Sequence, residues 1–496
     1  MQIGSILKTI NKRYRFHNFS GLSFNSKKCK SGNIFFAIKG SKDNGNNFIN
    51  DAIKKGAKTI ISNKKYQGYK NDVLYLKNNN PRKLLSKFAN KIYKKKPNNI
   101  IAVTGTNGKS SITNFFFQIL TLCKKKVTSI GTLGVNSLNH NFSSSKTTLD
   151  SITLNKILEE QKKKKINNVI LEASSHGLKQ HRLDGIDFKI GIFTNFSRDH
   201  LDYHKSYKDY FKSKMILFNK LMKKKSIMIY DSNEKLSHIL KSISKKNKLR
   251  SIAIGRKKCD LNISQHKFIG RKQEVLFNFN NHNYSFKTDL IGEVQIKNLL
   301  MAVIAASKII PMKKIVESLN KIKSVNGRLE PIGNLRNNST VILDYAHSPE
   351  SLKTCLKNIK NQFKLSEVSL VFGCGGERDK PKRQMMGKIA NDLCDKIYLT
   401  DDNPRKENPK KIRTQIKKNI NKFKLFEIPS REKAIVKAIN DLASGNVLVV
   451  AGKGHENYQE YFTKKIFSDK KCILKNIKLK NKFLNKDWKV NIIREK

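Results

Sequence analysis

At 496 residues the chain is too long for one core and is expected to divide into two to four domains, and its 38% hydrophobic content, spread in recurring apolar runs, excludes a disordered protein. The formal net charge of +63 first suggests nucleic acid or an anionic membrane as a partner. The lysines, however, run from end to end among abundant asparagine and isoleucine, a pattern of drift towards A/T-rich codons, so no nucleic-acid partner is expected.

The seven scattered cysteines form no C-x-x-C pair, which argues against a zinc site or a disulfide framework and fits a reducing cytosol. The opening MQIGSILKTI lacks the apolar core of a signal peptide, and no run approaches the roughly 18 apolar residues that span a bilayer. A cytoplasmic protein without membrane insertion is expected.

Residues 1–96 alternate short strand-like and helix-like pieces and close on the lysine-rich, proline-marked Tyr93-Lys94-Lys95-Lys96-Pro97. Within them Ser26 follows Gly21-Leu22-Ser23-Phe24-Asn25, ahead of the strand-like Asn33 to Ile38.

The second region, 97–327, opens on the most informative stretch. Ile100, Ile101, Ala102 and Val103 read as a buried strand, and Lys109 to Cys123 carries apolar residues at helical spacing. Between them lies Thr104-Gly105-Thr106-Asn107-Gly108-Lys109-Ser110. A strand that turns through glycines into a helix aims several backbone N–H groups and the positive end of the helix dipole at one spot, where a polyphosphate can sit. Lys109 would reach the terminal phosphates and the Ser110 hydroxyl would meet magnesium. Val103 stands where the common phosphate-loop pattern has glycine, so this stretch alone is weak evidence.

Val169-Ile170-Leu171 and Ile190 to Phe193 read as further buried strands. They are followed by Glu172 to His176 and by Asn195 to Asp202, which would meet near the phosphate loop beyond the carboxyl ends of a parallel sheet. One carboxylate, a hydroxyl and phosphates suffice for a first magnesium ion, and Glu172 with Ser110 fits. From residue chemistry alone His200 is as well explained as a capping or core histidine, and Lys214 as a solvated helix lysine.

The third region, 328–496, repeats the strand–loop pattern at Val341 to Leu343, Val368 to Phe372, Ile397 to Leu399 and Val447 to Val450. The loops that follow are Asp344-Tyr345-Ala346-His347, Gly373-Cys374-Gly375-Gly376, Thr400 to Arg405 and Gly452-Lys453-Gly454-His455-Glu456, which points to a second doubly wound domain.

Taken together, Thr104 to Lys109, Glu172-Ala173-Ser174-Ser175-His176-Gly177-Leu178, Asn195 to Asp202, Gly327-Arg328-Leu329-Glu330 and Asp344 to Pro349 resemble the ordered motifs of the Mur ligases, the ATP-dependent amino-acid ligases of peptidoglycan precursor synthesis. The resemblance spans nearly the whole chain. It is strongest to the members that add the third residue to UDP-N-acetylmuramoyl-L-alanyl-D-glutamate.

The resemblance implies an α/β protein of three domains: a small mixed UDP-binding domain, a central parallel-sheet ATPase and a Rossmann-like C-terminal domain that brings the amino acid. It implies ATP contacts at Gly105, Thr106, Asn107, Gly108, Lys109, Ser110, Ser111, Asn298 and Arg328. Magnesium would be held by Ser110, Glu172, His200 and Lys214, the last as the carbamate (N6-carboxylysine) that the family forms. Catalytic roles fall to Lys109, Glu172, His200, Lys214, Arg328 and His347. The UDP-sugar dipeptide would be read by Ser26, Thr147, Thr148, Ser175, Gln180 and Arg182. Diaminopimelate would be read by Arg378, Asp402, Asn403, Pro404, Arg405, Gly452 and Glu456.

Asp402-Asn403-Pro404-Arg405 resembles the motif of ligases that take meso-diaminopimelate. That substrate differs from lysine by a carboxylate beside the distal ammonium, which calls for a cation (Arg405) and an anion (Glu456) at one end of the pocket. A lysine-adding ligase, a folate-polyglutamating enzyme and a basic nucleic-acid-binding ATPase are the alternatives. The family's usual Gly-x-Phe-Asn-x-x-Asn reads Gly292-Glu293-Val294-Gln295-Ile296-Lys297-Asn298 here, and Asn25 replaces a common aspartate. A monomer acting on small molecules is expected.

Overall fold

The computed structural model describes residues 1–40, 43–137, 140–142 and 146–494. Residues 21–77 contribute a five-stranded sheet in the order Gly21–Ser23, Asn33–Phe36, Thr59–Ser62, Val73–Lys77, Gly68–Lys70, parallel except for the last pair. The helix Pro81–Ile92 packs Leu84, Leu85 and Phe88 into the same core as Ile34, Phe36 and Ile61. Its proline occupies the first turn, where a missing N–H costs nothing, and Asn80 caps the Lys83 N–H.

The strand Asn99–Thr104 lies inside an eleven-stranded sheet, flanked by parallel Phe188–Phe193 and Asn168–Glu172. All three are buried from end to end or nearly so, which is why they read as continuous apolar runs. Alternate residues feed the two faces. Ile101, Val103, Ile170 and Ile192 pack with the helices Lys109–Leu122 and Glu293–Ala306, while Ile100, Ala102, Val169 and Leu171 pack with Ser151–Lys163. The sheet is extended antiparallel at both edges, by Gly134–Ser137 with His140–Phe142 and by Lys272–Phe279 with His282–Thr288.

A six-stranded sheet follows in the order Glu330–Asn334, Thr340–Asp344, Val447–Ala451, Val368–Phe372, Lys396–Leu399, Leu425–Glu427. Only its first strand is antiparallel. Its two faces carry separate cores, one including Leu356, Met386 and Ile412 of three helices, the other Ala434, Ile435 and Ile473 of two more. The doubly wound arrangement expected from the four apolar runs is present. At its far end Arg431 and Asp469, both with fully buried side chains, form a bidentate pair that fastens the C-terminal helix Asp469–Arg494.

No helix among the described residues is long and apolar enough to cross a membrane. The lysine run Lys223–Lys225 lies exposed on a strand, as a solvated face should.

Candidate active site

The carboxyl ends of the central and C-terminal sheets face each other across a cleft of about 1410 Å³. Its walls include Thr132, Thr147, His176, Asp199 and His200 on one side and Tyr345, His347, Arg378, Asn403, Arg405 and Glu456 on the other. The His176 and Asp199–His200 loops of the central half therefore meet the C-terminal loops in one place, while the phosphate loop, Glu172, Lys214 and Arg328 lie outside that lining.

The phosphate loop is shaped by two glycines. Gly105 has φ 142°, and a Cβ there would lie 1.9 Å from Thr194 Oγ1. Gly108, at φ 85°, precedes the helix Lys109–Leu122 and leaves its first N–H groups without a side-chain cap, free for a phosphate. The Asn107 and Thr106 N–H groups are anchored on Asn195, and the Thr194 hydroxyl donates to the Asn107 carbonyl.

Lys109 folds back over the loop, donating to the Gly105 and Thr106 carbonyls at 3.0 and 2.7 Å. Burial lowers its pKa, against the pull of Glu172 and Asp199. Lys214, 1% exposed, donates to the same Gly105 carbonyl at 2.6 Å and lies over the Tyr210 ring. Burial, and secondly the Lys109 charge, push its pKa well below the usual lysine value, which favours the neutral, nucleophilic amine.

Glu172, 2% exposed, accepts from the Ser110 hydroxyl at 2.9 Å and from the Thr132 N–H and hydroxyl at 2.8 and 3.1 Å. A carboxylate and a hydroxyl in contact at the phosphate loop are an oxygen-only donor pair that suits magnesium. Among the described residues no group of three His, Cys, Asp or Glu side chains is close enough to hold a metal, so an ion here would complete its shell from phosphate and water.

His200 has φ 54° and lines the cleft with a half-buried ring, with Nε2 3.5 Å from Asp199 and the His176 ring 4.9 Å away. Burial of the ring's protonation site holds its pKa at about 4, so the imidazole is neutral at pH 7 and free to accept or ligate. His347 bonds the Tyr345 carbonyl, and the Arg328 guanidinium lies over the Tyr345 ring at 4.2 Å. Asp344 ties this turn together by accepting from the Leu329 and Ala346 N–H groups. Asn298 sits directly against Gly108 and donates to Gln295, whose own amide donates to the Arg328 carbonyl, while Val294 packs into the C-terminal core.

Along the central domain's other flank, Thr148 bonds the Glu172 carbonyl and Ser174, and Thr147 accepts from Thr132. Ser175 meets His204, and Arg182 donates to the Thr148 carbonyl and to Gln180 at 2.6 Å each. Ser26 lies apart from these, buried at the start of a short turn in the first sheet.

In the C-terminal wall Arg405 has φ 56°, donates to the Gly376 carbonyl at 2.8 Å and pairs with Glu460 at 3.3 Å. Arg378 reaches Asp202 across the cleft at 3.4 Å. Asn403 donates to Glu456, Pro404 packs its carbonyl against Gly376, and Gly452 at φ 113° lies against Asp402.

Sequence reasoning passed over Lys453. Its fully buried ammonium lies 2.9 Å from Asn403, 3.3 Å from Glu456 and 3.7 Å from Asp402. It also passed over Thr132, Asp199 and Tyr345 as site residues, although Asp199 and Tyr345 lie within motifs it had singled out. Thr132, on a Gly-Thr-Leu-Gly turn, carries no such signal.

A phosphate-loop sheet faced, across a cleft, by a doubly wound domain bearing charged loops defines a nucleotide-binding enzyme of two cooperating α/β domains. The chain belongs to the Mur ligase family: residues 103–306 match the Mur ligase middle domain, 327–454 the Mur ligase glutamate ligase domain and 18–93 the Mur ligase family catalytic domain. It is 41% identical over 477 residues to the UDP-N-acetylmuramoyl-L-alanyl-D-glutamate--2,6-diaminopimelate ligase of Rickettsia conorii, covering 95% of this chain and 98% of that one. It is 36% identical to the ligase of the same name from Chelativorans sp., covering 92% and 95%. A solved structure of a ligase so named superposes with a TM-score of 0.69 at 28% identity over 97% of this chain and 99% of that one. The MurF ligase of Thermotoga maritima in complex with ADP shares the fold, with a TM-score of 0.64 at 16% identity over 93% and 97%.

Proposed function

We propose that this enzyme joins meso-2,6-diaminopimelate to UDP-N-acetylmuramoyl-L-alanyl-D-glutamate with ATP, giving the UDP-sugar tripeptide of peptidoglycan synthesis. The D-glutamyl carboxylate attacks the γ-phosphorus of ATP and ADP leaves. The diaminopimelate amine then attacks the acyl phosphate carbonyl, and the tetrahedral intermediate expels phosphate as the amine loses its proton. The protein's contribution is positioning and charge neutralisation.

Residues 1–96 bind the uridine end through Ser26, 97–327 hold ATP, and 328–496 present the amino acid. Lys109 and the N–H groups of Gly105 to Ser111 cradle the phosphates, with Asn298 and Arg328 on the nucleoside side. Thr147, Thr148, Ser175, Gln180 and Arg182 hold the dipeptide. Ser110 and Glu172 would hold a magnesium ion whose shell phosphate and water complete, and a carbamylated Lys214 with His200 would serve a second; such ions would supply neutralisation of the phosphate charge. The depressed pKa of Lys214 supports carbamylation, because the neutral amine is the form that captures carbon dioxide. His347 and Arg328 meet the nucleotide from the C-terminal side.

The observation that carries the choice of amino acid is the presence of both Arg405 and Glu456 on one wall of the cleft. Arg405 is oriented through Glu460 and the Gly376 carbonyl with donors to spare for a carboxylate, and Glu456 is placed for an ammonium. Lys453 stands between Asp402 and Glu456, so two carboxylates share one ammonium and the group keeps a net negative charge to offer. Arg378 and the Asp402–Gly452 contact complete the pocket.

The test is phosphate release and product mass with purified UDP-N-acetylmuramoyl-L-alanyl-D-glutamate and ATP. Release that requires diaminopimelate, with a product heavier by one diaminopimelyl residue, is expected. Release without any amino acid product, or none at all, would overturn the ligase assignment.

A further inference from the structure

One arginine outside the residues already given roles stands at the junction of the first two sheets. Arg82, on the helix Pro81–Ile92, donates to the Lys39 carbonyl at 2.7 Å and to Gln180 Oε1 at 3.4 Å. The same Gln180 oxygen accepts from Arg182 at 2.6 Å. Its amide nitrogen donates to the Tyr203 hydroxyl at 3.0 Å, which fixes which end faces the two guanidiniums.

Two half-buried cations thus converge on one neutral oxygen, and neither forms an ion pair with a carboxylate among the described residues. Asp150, the acid acting on Arg182, already spends its carboxylate oxygens on the Ile152 and Thr153 N–H groups and the Thr153 hydroxyl. Lys28 and Lys146 add positive charge to the same neighbourhood. Like charges brought together away from water raise the free energy of the empty site, and an anion between them relieves both. Each guanidinium has five N–H donors and commits two of its nitrogens to the protein, so several donors remain.

We propose that Arg82 and Arg182 form an anion clamp across the two domains, in which Arg82 binds an anionic group of the UDP-sugar dipeptide. The inference rests on the ligase reading above and extends it. The first domain then supplies charge as well as the uridine contact, and bound substrate adds a bridge between Pro81–Ile92 and the Gln180–Arg182 turn, which already touch through Asn80 and His181. Two kinds of anion in that substrate have the required chemistry, the diphosphate and the D-glutamyl carboxylate that is not phosphorylated.

The experiment compares Arg82→Ala and Arg82→Lys with the unaltered enzyme by calorimetry, using UDP-N-acetylmuramate with and without the L-alanyl-D-glutamyl dipeptide, alongside KM values for all three substrates. Arg82→Ala should weaken the dipeptide substrate by about tenfold or more, with KM for ATP and diaminopimelate within about twofold, and Arg82→Lys should recover part of the loss. Equal weakening of both UDP ligands identifies the diphosphate, and weakening of the dipeptide form alone identifies the carboxylate. Unchanged affinity for both, or an equal rise in all three KM values with no recovery by lysine, would overturn the clamp. Because the unaltered enzyme's diaminopimelate-dependent phosphate release is measured in the same series, failure of the ligase reading is seen separately.

Discussion

The phosphate loop, behind Asp199 on the near wall of the cleft, and the amino-acid pocket on the far wall are built on different principles. The loop is local: residues 104–110 supply its glycines, lysine and hydroxyl, and its shape is held by backbone conformation and by contacts with Thr194 and Asn195. The pocket is assembled from loops as far apart as Gly376, Arg405 and Glu456, and ion pairs hold them in register. Arg383, fully buried, grips both carboxylate oxygens of Glu407 at 2.6 and 2.8 Å and also the Gly375 carbonyl and Gln415, so it fastens the Arg378 loop to the Arg405 loop. A site built from one peptide tolerates little change at any position, whereas a site built from many loops can be retuned through its braces.

Four changes break or sharpen that contrast. The largest effect is expected from Lys109→Ala, which should lower kcat for phosphate release by about two to three orders of magnitude, while calorimetry shows the UDP-sugar dipeptide still bound. Arg405→Lys comes next: without the two-pronged contact, KM for diaminopimelate should rise about tenfold to a hundredfold while KM for ATP stays within about twofold. Equal rises in both would remove Arg405 from amino-acid recognition.

Glu407→Gln should have a smaller and pH-dependent effect. The Arg383 hydrogen bonds hold the Glu407 carboxyl at about 2, against an ordinary 4.5. A depressed carboxyl stabilises the fold above the unfolded pKa and loses that contribution as pH falls through the folded one. The unaltered enzyme should therefore exceed the variant by about 2–3 kcal/mol near pH 7, with the difference fading between about pH 4.5 and pH 2, as read by denaturant titration. Replacing Lys223, Lys224 and Lys225 together by Gln should do least, leaving kcat/KM unchanged and stability within about 0.5 kcal/mol, because these chains are solvated.

The same contrast explains what was legible beforehand. Strands such as Asn99–Thr104 and Val447–Ala451 are buried on both faces, so they stand out as apolar runs, and the phosphate loop is contiguous. The strands Leu261–Ile269 and His282–Thr288 mix buried with exposed positions and are rich in Asn, Ser, His and Lys, so the antiparallel edge they build left no such run. Lys453 was hidden for a different reason. In a chain with 101 lysines and arginines, one buried lysine that balances Asp402 and Glu456 looks like every other until the loops are folded together. Arg82 and Gln180 are 98 positions apart, and nothing in the chain marks them as neighbours before folding.

The central claim is that the Arg405 and Glu456 pair reads a distal zwitterion. It is tested most directly by the ratio of kcat/KM for meso-diaminopimelate to that for L-lysine, measured with the unaltered enzyme at saturating ATP and UDP-sugar dipeptide. A ratio of at least about one hundred is predicted, since lysine leaves the Arg405 guanidinium facing an ammonium with no carboxylate between them. A ratio near one would contradict it.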